Sequence, residues 1–299
     1  MQVNQTPFGL LRARSLLGRS VLALIASSMI SALLWSTEWG SIQGPLLTVL
    51  AELLGYGIFL LLLLRLLARA QVAPRTLLGP RPAWATLGRY ALVAFPLMVV
   101  TIAATLLLYL PLSYLWPGVV ERWLLRDASV LLWLQGPHAV LANGCNVVLI
   151  VLLVPMVEEF VFRGLLLTRW SLKWGVPRGL LASAAVFGLL HADILGSVFF
   201  GYVMSVLYIQ TRSLFVPMSV HIANNGLVIL LEGVDLLTRA SYTPSTLAEF
   251  QSLWWVGVLA TGLIMPWVLR FTQRHVPTRG WCVPYLAEDN APAAREDGT

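Results

Sequence analysis

The sequence predicts an all-α, polytopic membrane helix bundle of about eight transmembrane helices, with both termini on the cytoplasmic side. Three observations carry this. The chain is 58% hydrophobic and only 11% charged, with a mean hydropathy of +0.78, roughly half the charge of a soluble domain. Apolar runs recur at the length needed to cross a bilayer core of ~30 Å, about 20 helical residues. The basic residues fall on alternate connections. With the N-terminus inside, the inner segments hold sixteen Lys and Arg residues, from Arg12, Arg14 and Arg19 through to Arg274, Arg279 and Arg295. The outer ones hold three, Arg122, Arg126 and Arg239. That is the direction the positive-inside rule requires.

The 299 residues suit one membrane domain. The net charge of +6 is scattered at segment ends rather than gathered in a patch, which speaks against nucleic acid as a partner and for the lipid bilayer. Cys145 lies in an apolar segment and Cys282 in a polar tail, so no disulfide framework is expected.

Residues 1–19 form a basic cytoplasmic segment. Residues 20–138 hold the N-terminal spans: Ser20–Ser36, Pro45–Leu64 and Tyr90–Leu112, the last with an expected kink at Pro96. The first run is too long for a signal peptide and lacks a clear cleavage site, so it is read as a retained span. Val119–His138 carries Glu121, Arg122, Arg126 and Asp127 before an apolar stretch, which suits an outer loop with an interfacial helix.

Residues 139–231 hold the fourth span, from Ala139 past Glu158 to about Trp170, then Gly179–Ala192, Leu195–Gln210 and Leu214–Leu231. The short fifth and sixth spans share a tight link at Asp193–Gly196, as in a helical hairpin. Residues 232–274 give an outer loop and a last span, Leu253–Phe271. Residues 275–299 form a polar cytoplasmic tail with the composition of a disordered segment.

Polar residues inside apolar helices are costly and mark function. The fourth span contains Glu158-Glu159-Phe160-Val161-Phe162-Arg163. Residues four apart share a helix face, so Glu159 and Arg163 can pair. Glu158 lies ~100° away and stays free to face the bundle interior. Low-dielectric surroundings raise a carboxylate's pKa, which suits a general base. The same residues also suit a structural ion-pair cluster.

The fifth span places Phe187 and His191 on one face, and the seventh does so for His221 and Asn225. Counted from the cytoplasmic ends of their spans, His191 and His221 lie roughly 18 Å and 10 Å deep. Both can meet Glu158 in the cytoplasmic half or near the midplane.

In order, Glu158-Glu159-x-x-x-Arg163, Phe187-x-x-x-His191 and His221-x-x-x-Asn225 resemble the three motifs of the CPBP (Abi) family. That family comprises the CAAX prenyl endopeptidases and their bacterial relatives, glutamate-type intramembrane proteases. The resemblance covers about Leu141–Leu231. It implies a hydrolase without a cofactor, in which Glu158, assisted by His191, activates water against a peptide carbonyl. It further implies that His221 and Asn225 donate to the oxyanion, that Glu159 and Arg163 position the helix, and that Phe187 packs beside His191.

The implied partner is a membrane-associated protein or peptide substrate, such as a C-terminal tail or sorting signal. The implied location is a bacterial inner membrane, which a chain with a single lysine, Lys173, also suits through GC-rich coding. Ser183, Ser219 and Cys145 lack the neighbours of a nucleophile.

Three other readings stay open. Two His and one Glu can form an open zinc site, although there is no H-E-x-x-H and Arg163 would repel a cation. A transporter could use the same groups as a proton relay, although no inverted repeat is evident. A membrane immunity or binding protein could keep the fold without catalysis.

Overall fold

The computed structural model describes residues 38–125, 138–238, 246–277 and 280–284, with the single positions 18, 132 and 244. Among these residues every regular element is helical. In chain order they are α1 (Glu38–Arg69), α2 (Pro74–Leu78), α3 (Trp84–Ala91), α4 (Ala94–Leu115), α5 (Pro117–Val120), α6 (Ala139–Trp174), α7 (Val176–Leu189), α8 (Ile194–Thr211), α9 (Phe215–Thr238), α10 (Leu247–Ser252) and α11 (Trp254–Arg274).

Among the described residues six stretches are long and apolar enough to cross a membrane: Leu46–Arg69 of α1, the α3–α4 pair, and α6, α8, α9 and α11; α7 is shorter. The chain is thus a polytopic helical membrane bundle. Each expected span from Pro45 onward coincides with a helix. The expected span at 20–36 lies outside the described residues, as do Arg12, Arg14, Arg19, Arg126, Arg239, Arg279 and Arg295 of the charge bias.

The break expected at Pro96 falls one turn earlier, at Leu92–Val93, between α3 and α4. A proline ring clashes with the carbonyl four residues before it and offers no N–H. For Pro96 that carbonyl belongs to Leu92, which instead accepts from the Phe95 N–H at 3.2 Å. Pro96 then sits in the first turn of α4, where no N–H is needed.

The connection expected on the outer side begins with a short helix, α5, continued by a π-helical turn over Glu121–Leu125 with Trp123 exposed. Most of 126–137 lies outside the described residues. The polar tail starts differently from its composition. Val283 is fully buried in the main core with Trp281 packed against it, because this apolar pair interrupts the polar sequence. Positions from 285 lie outside the described residues.

The main core draws on the whole described chain, from Phe59 to Val283, so residues 139–231 share one interior with the helices around them. At its centre α7 and α8 form the expected hairpin. They approach closely at Gly188, where a Cβ would lie 2.7 Å from the Val198 backbone nitrogen. Gly175, at φ +83°, turns the chain from α6 into α7 in a conformation that glycine adopts freely. Helix α4 packs along α8 and α11, and α9 along α3 and α4.

Candidate active site

Helix α6 carries the two glutamates and is not uniformly α-helical. It widens into π-helical turns at Val148–Leu153 and Phe160–Leu167, on either side of the α-helical Val154–Glu159. Such turns occur often at functional sites. Pro155 accounts for the first one. The Val154 N–H reaches back five residues to the Leu149 carbonyl. In that register the Ile150 carbonyl would pair with residue 155, which has no N–H. The Asn225 amide supplies the missing donor: its Nδ2 lies 2.9 Å from the Ile150 oxygen. Asn225 therefore caps the break that sets Glu158 in place, and one of its two amide hydrogens is committed there.

Glu159 and Arg163 pair as expected, Nη1 to Oε1 at 2.9 Å, with both side chains fully buried. The same Glu159 oxygen also meets His221 Nδ1 at 2.8 Å. The pair therefore does more than position α6. An ionised carboxylate only accepts, so it holds the His221 proton on Nδ1 and aims Nε2 outward. Nε2 points to Glu158, 3.8 Å from Oε2. Glu158 keeps 22% of its side chain exposed, against 0% for Glu159. The two carboxylates are thus separated into one that is neutralised and sealed and one that is open and faces an imidazole.

His191 lies differently from expectation. Helix α7 ends at Leu189, so His191 belongs to the link rather than to the helix face of Phe187. Its N–H still bonds the Gly188 carbonyl at 3.0 Å, which brings its ring onto Phe187 with centroids 4.4 Å apart. Its Nδ1 lies 2.7 Å from the Phe187 carbonyl. A carbonyl only accepts, so that nitrogen carries the proton and Nε2 is left as the basic one.

Phe187 is the hub of the site. Besides His191, its ring meets the Arg163 guanidinium at 4.4 Å, His221 at 6.0 Å and Phe200 at 5.8 Å. Phe200 in turn lies 4.8 Å from His221. Among the described residues the imidazole in ion-pair range of Glu158 is that of His221; no such contact joins Glu158 to His191.

The sequence reading missed two contributors. One is Pro155, three residues before Glu158, whose lost N–H was a legible signal. The other is Tyr56 on α1, which lies within electrostatic reach of the Glu158 and Glu52 carboxylates. No motif pointed to it. The hydroxyls of Ser183 and Ser219 donate to the Phe162 and Val216 carbonyls at 2.9 and 2.8 Å. Among the described residues no three His, Cys, Asp or Glu side chains gather closely enough to hold a metal ion.

Helices crossing a membrane around a buried Glu–His–Arg cluster define a polytopic membrane protein with an enzyme-like interior site. A family model described as "Type II CAAX prenyl endopeptidase Rce1-like" matches residues 141–227, the segment that carries all three motifs. This segment is thus similar to the CPBP (CAAX protease) family, whose model matches 87 of the 299 residues. Among curated proteins it is similar to "Putative membrane peptidase YdiL" of Bacillus subtilis (strain 168), 27% identical over 81 residues. That alignment takes in 26% of this chain and 33% of the relative, so the chain spans about a third of the length of the curated relative it matches. No solved structure matches.

Proposed function

We propose that this protein is an intramembrane endopeptidase that hydrolyses a peptide bond of a membrane-associated protein or peptide, in a bacterial inner membrane. The observation that carries this is the asymmetry of the two adjacent glutamates. Glu159 is fully buried against Arg163 and His221, while Glu158 is open with the free His221 nitrogen beside it. A structural ion-pair cluster needs only the first arrangement.

In this reading the Glu158 carboxylate takes a proton from water. The water oxygen bonds the peptide carbonyl carbon, the C–N bond breaks, and the proton leaves on the departing nitrogen. His191 offers its basic Nε2 to the same water. With a proton on Nε2, His221 donates to the oxyanion together with the second amide hydrogen of Asn225. No covalent intermediate and no metal takes part.

The test is substrate trapping. Cells bearing Glu158→Ala should accumulate an uncut membrane protein that the wild type shortens. If no membrane protein differs between the two strains, the reading as a protease fails and that of an immunity or binding protein replaces it.

A further inference from the structure

Helix α4 carries one long polar stripe, Thr101, Thr105, Tyr109 and Ser113, spaced four apart and therefore on one face, with the Tyr114 hydroxyl apart from it. The structure aims the first three of the stripe at the link between α7 and α8. Tyr109, 4% exposed, donates its hydroxyl to the Ala192 carbonyl. The Thr101 and Thr105 hydroxyls hydrogen-bond the Asp193 carboxylate. Asp193 also caps α8, accepting from the Gly196 N–H at 3.1 Å. A Cβ at position 196 would meet the Asp193 carboxylate and displace it, so glycine suits this cap.

None of these groups belongs to the glutamate–histidine cluster, yet they hold the two residues that follow His191. His191 lies beyond the last turn of α7, so no regular helix fixes it from the C-terminal side. Its own contacts run backwards, to Gly188 and Phe187. The tether in the forward direction is the Ala192 carbonyl and the Asp193 side chain, both bound to α4. A carboxylate in such a partly buried link is costly unless its hydrogen bonds are made.

We propose that Thr101, Thr105, Tyr109 and Asp193 form a clamp between α4 and the α7–α8 link, and that its members are positioning residues for His191. The proposal rests on the reading of His191 as part of the site, but its test needs no activity. The full chain has four histidines, so ring-nitrogen chemical shifts in detergent micelles can be assigned, that of His191 by its loss in His191→Gln.

Asp193→Ala should shift and broaden the His191 ring signals and leave those of His221 in place. Asp193→Asn should return them, because its side-chain oxygen still accepts from the Gly196 N–H and the threonine hydroxyls. If Asp193→Ala does not fold, Tyr109→Phe and Thr101→Val, each losing a single hydroxyl or its equivalent, carry the same expectation. His191 signals unmoved in the folded clamp variants would overturn the proposal. With cleavage still lost in His191→Gln, that result would leave the proposed function standing.

Discussion

The cap between Asn225 and Ile150 makes a prediction that separates it from any catalytic duty of the asparagine. In Asn225→Leu the side chain keeps its size and loses its amide, so the Ile150 carbonyl loses the donor now 2.9 Å away. No neighbour in α6 can replace it, since Val154 is spent on Leu149 and residue 155 is proline. An orphaned buried carbonyl costs about 1–3 kcal/mol, and interhelical hydrogen bonds in membranes are worth about 0.6–1.7 kcal/mol. A loss of about 1–2 kcal/mol follows. At about 2–4 °C per kcal/mol for a large domain, Tm in detergent should fall by about 2–8 °C.

The decisive arm is a double-mutant cycle with Pro155→Ala, followed by thermal unfolding. The new alanine supplies an N–H five residues after Ile150, in the register the helix already holds. On that background Asn225→Leu should cost clearly less, with a coupling of about 0.5 kcal/mol or more. If the two substitutions add, the amide is not serving the proline break and the reasoning is wrong.

Two further outcomes are expected. Arg163→Ala leaves Glu159 fully buried without its cation, and breaking a buried pair costs about 3–5 kcal/mol. It should therefore lower Tm as well as activity; an unchanged Tm with lost activity would put Arg163 in the chemistry instead. Exhaustive chelation should leave cleavage intact, and purified protein should lack stoichiometric zinc. Zinc at one per chain, with activity lost on removal and restored on return, would make Glu158, His191 and His221 ligands.

The helical bundle was legible because membrane burial leaves a strong signature: long apolar runs whose ends carry charge. The fourth span could be traced through its charges because Glu159 and Arg163 compensate each other at helical spacing, and the structure pairs them. Motif order brought Glu158, Phe187, His191, His221 and Asn225 into consideration together. Their individual partners were less legible.

Spacing placed His191 on a helix that in fact stops at Leu189, and it said nothing of which imidazole meets Glu158. That depends on α9 reaching α6, a tertiary fact. Likewise Asn225 finds a backbone carbonyl that is free only because Pro155 and a π-turn lie 70 residues earlier in the chain. Tyr56 and the Thr101–Thr105–Tyr109 stripe carry no motif, since a few hydroxyls on an apolar helix look the same whether or not they face a site. The break before Pro96 was displaced by one turn for a local reason that applies to any helix, the clash with the carbonyl four residues back.

The central claim is that Glu158 is the base. Its most direct test is the cleavage rate of purified Glu158→Gln against the trapped substrate, with Tm measured on the same sample. The change keeps shape and removes the base, and a general base contributes about 100-fold or more. The account predicts cleavage below about a hundredth of wild type with Tm unchanged within a few degrees. Cleavage above about a tenth of wild type, from folded protein, would contradict it.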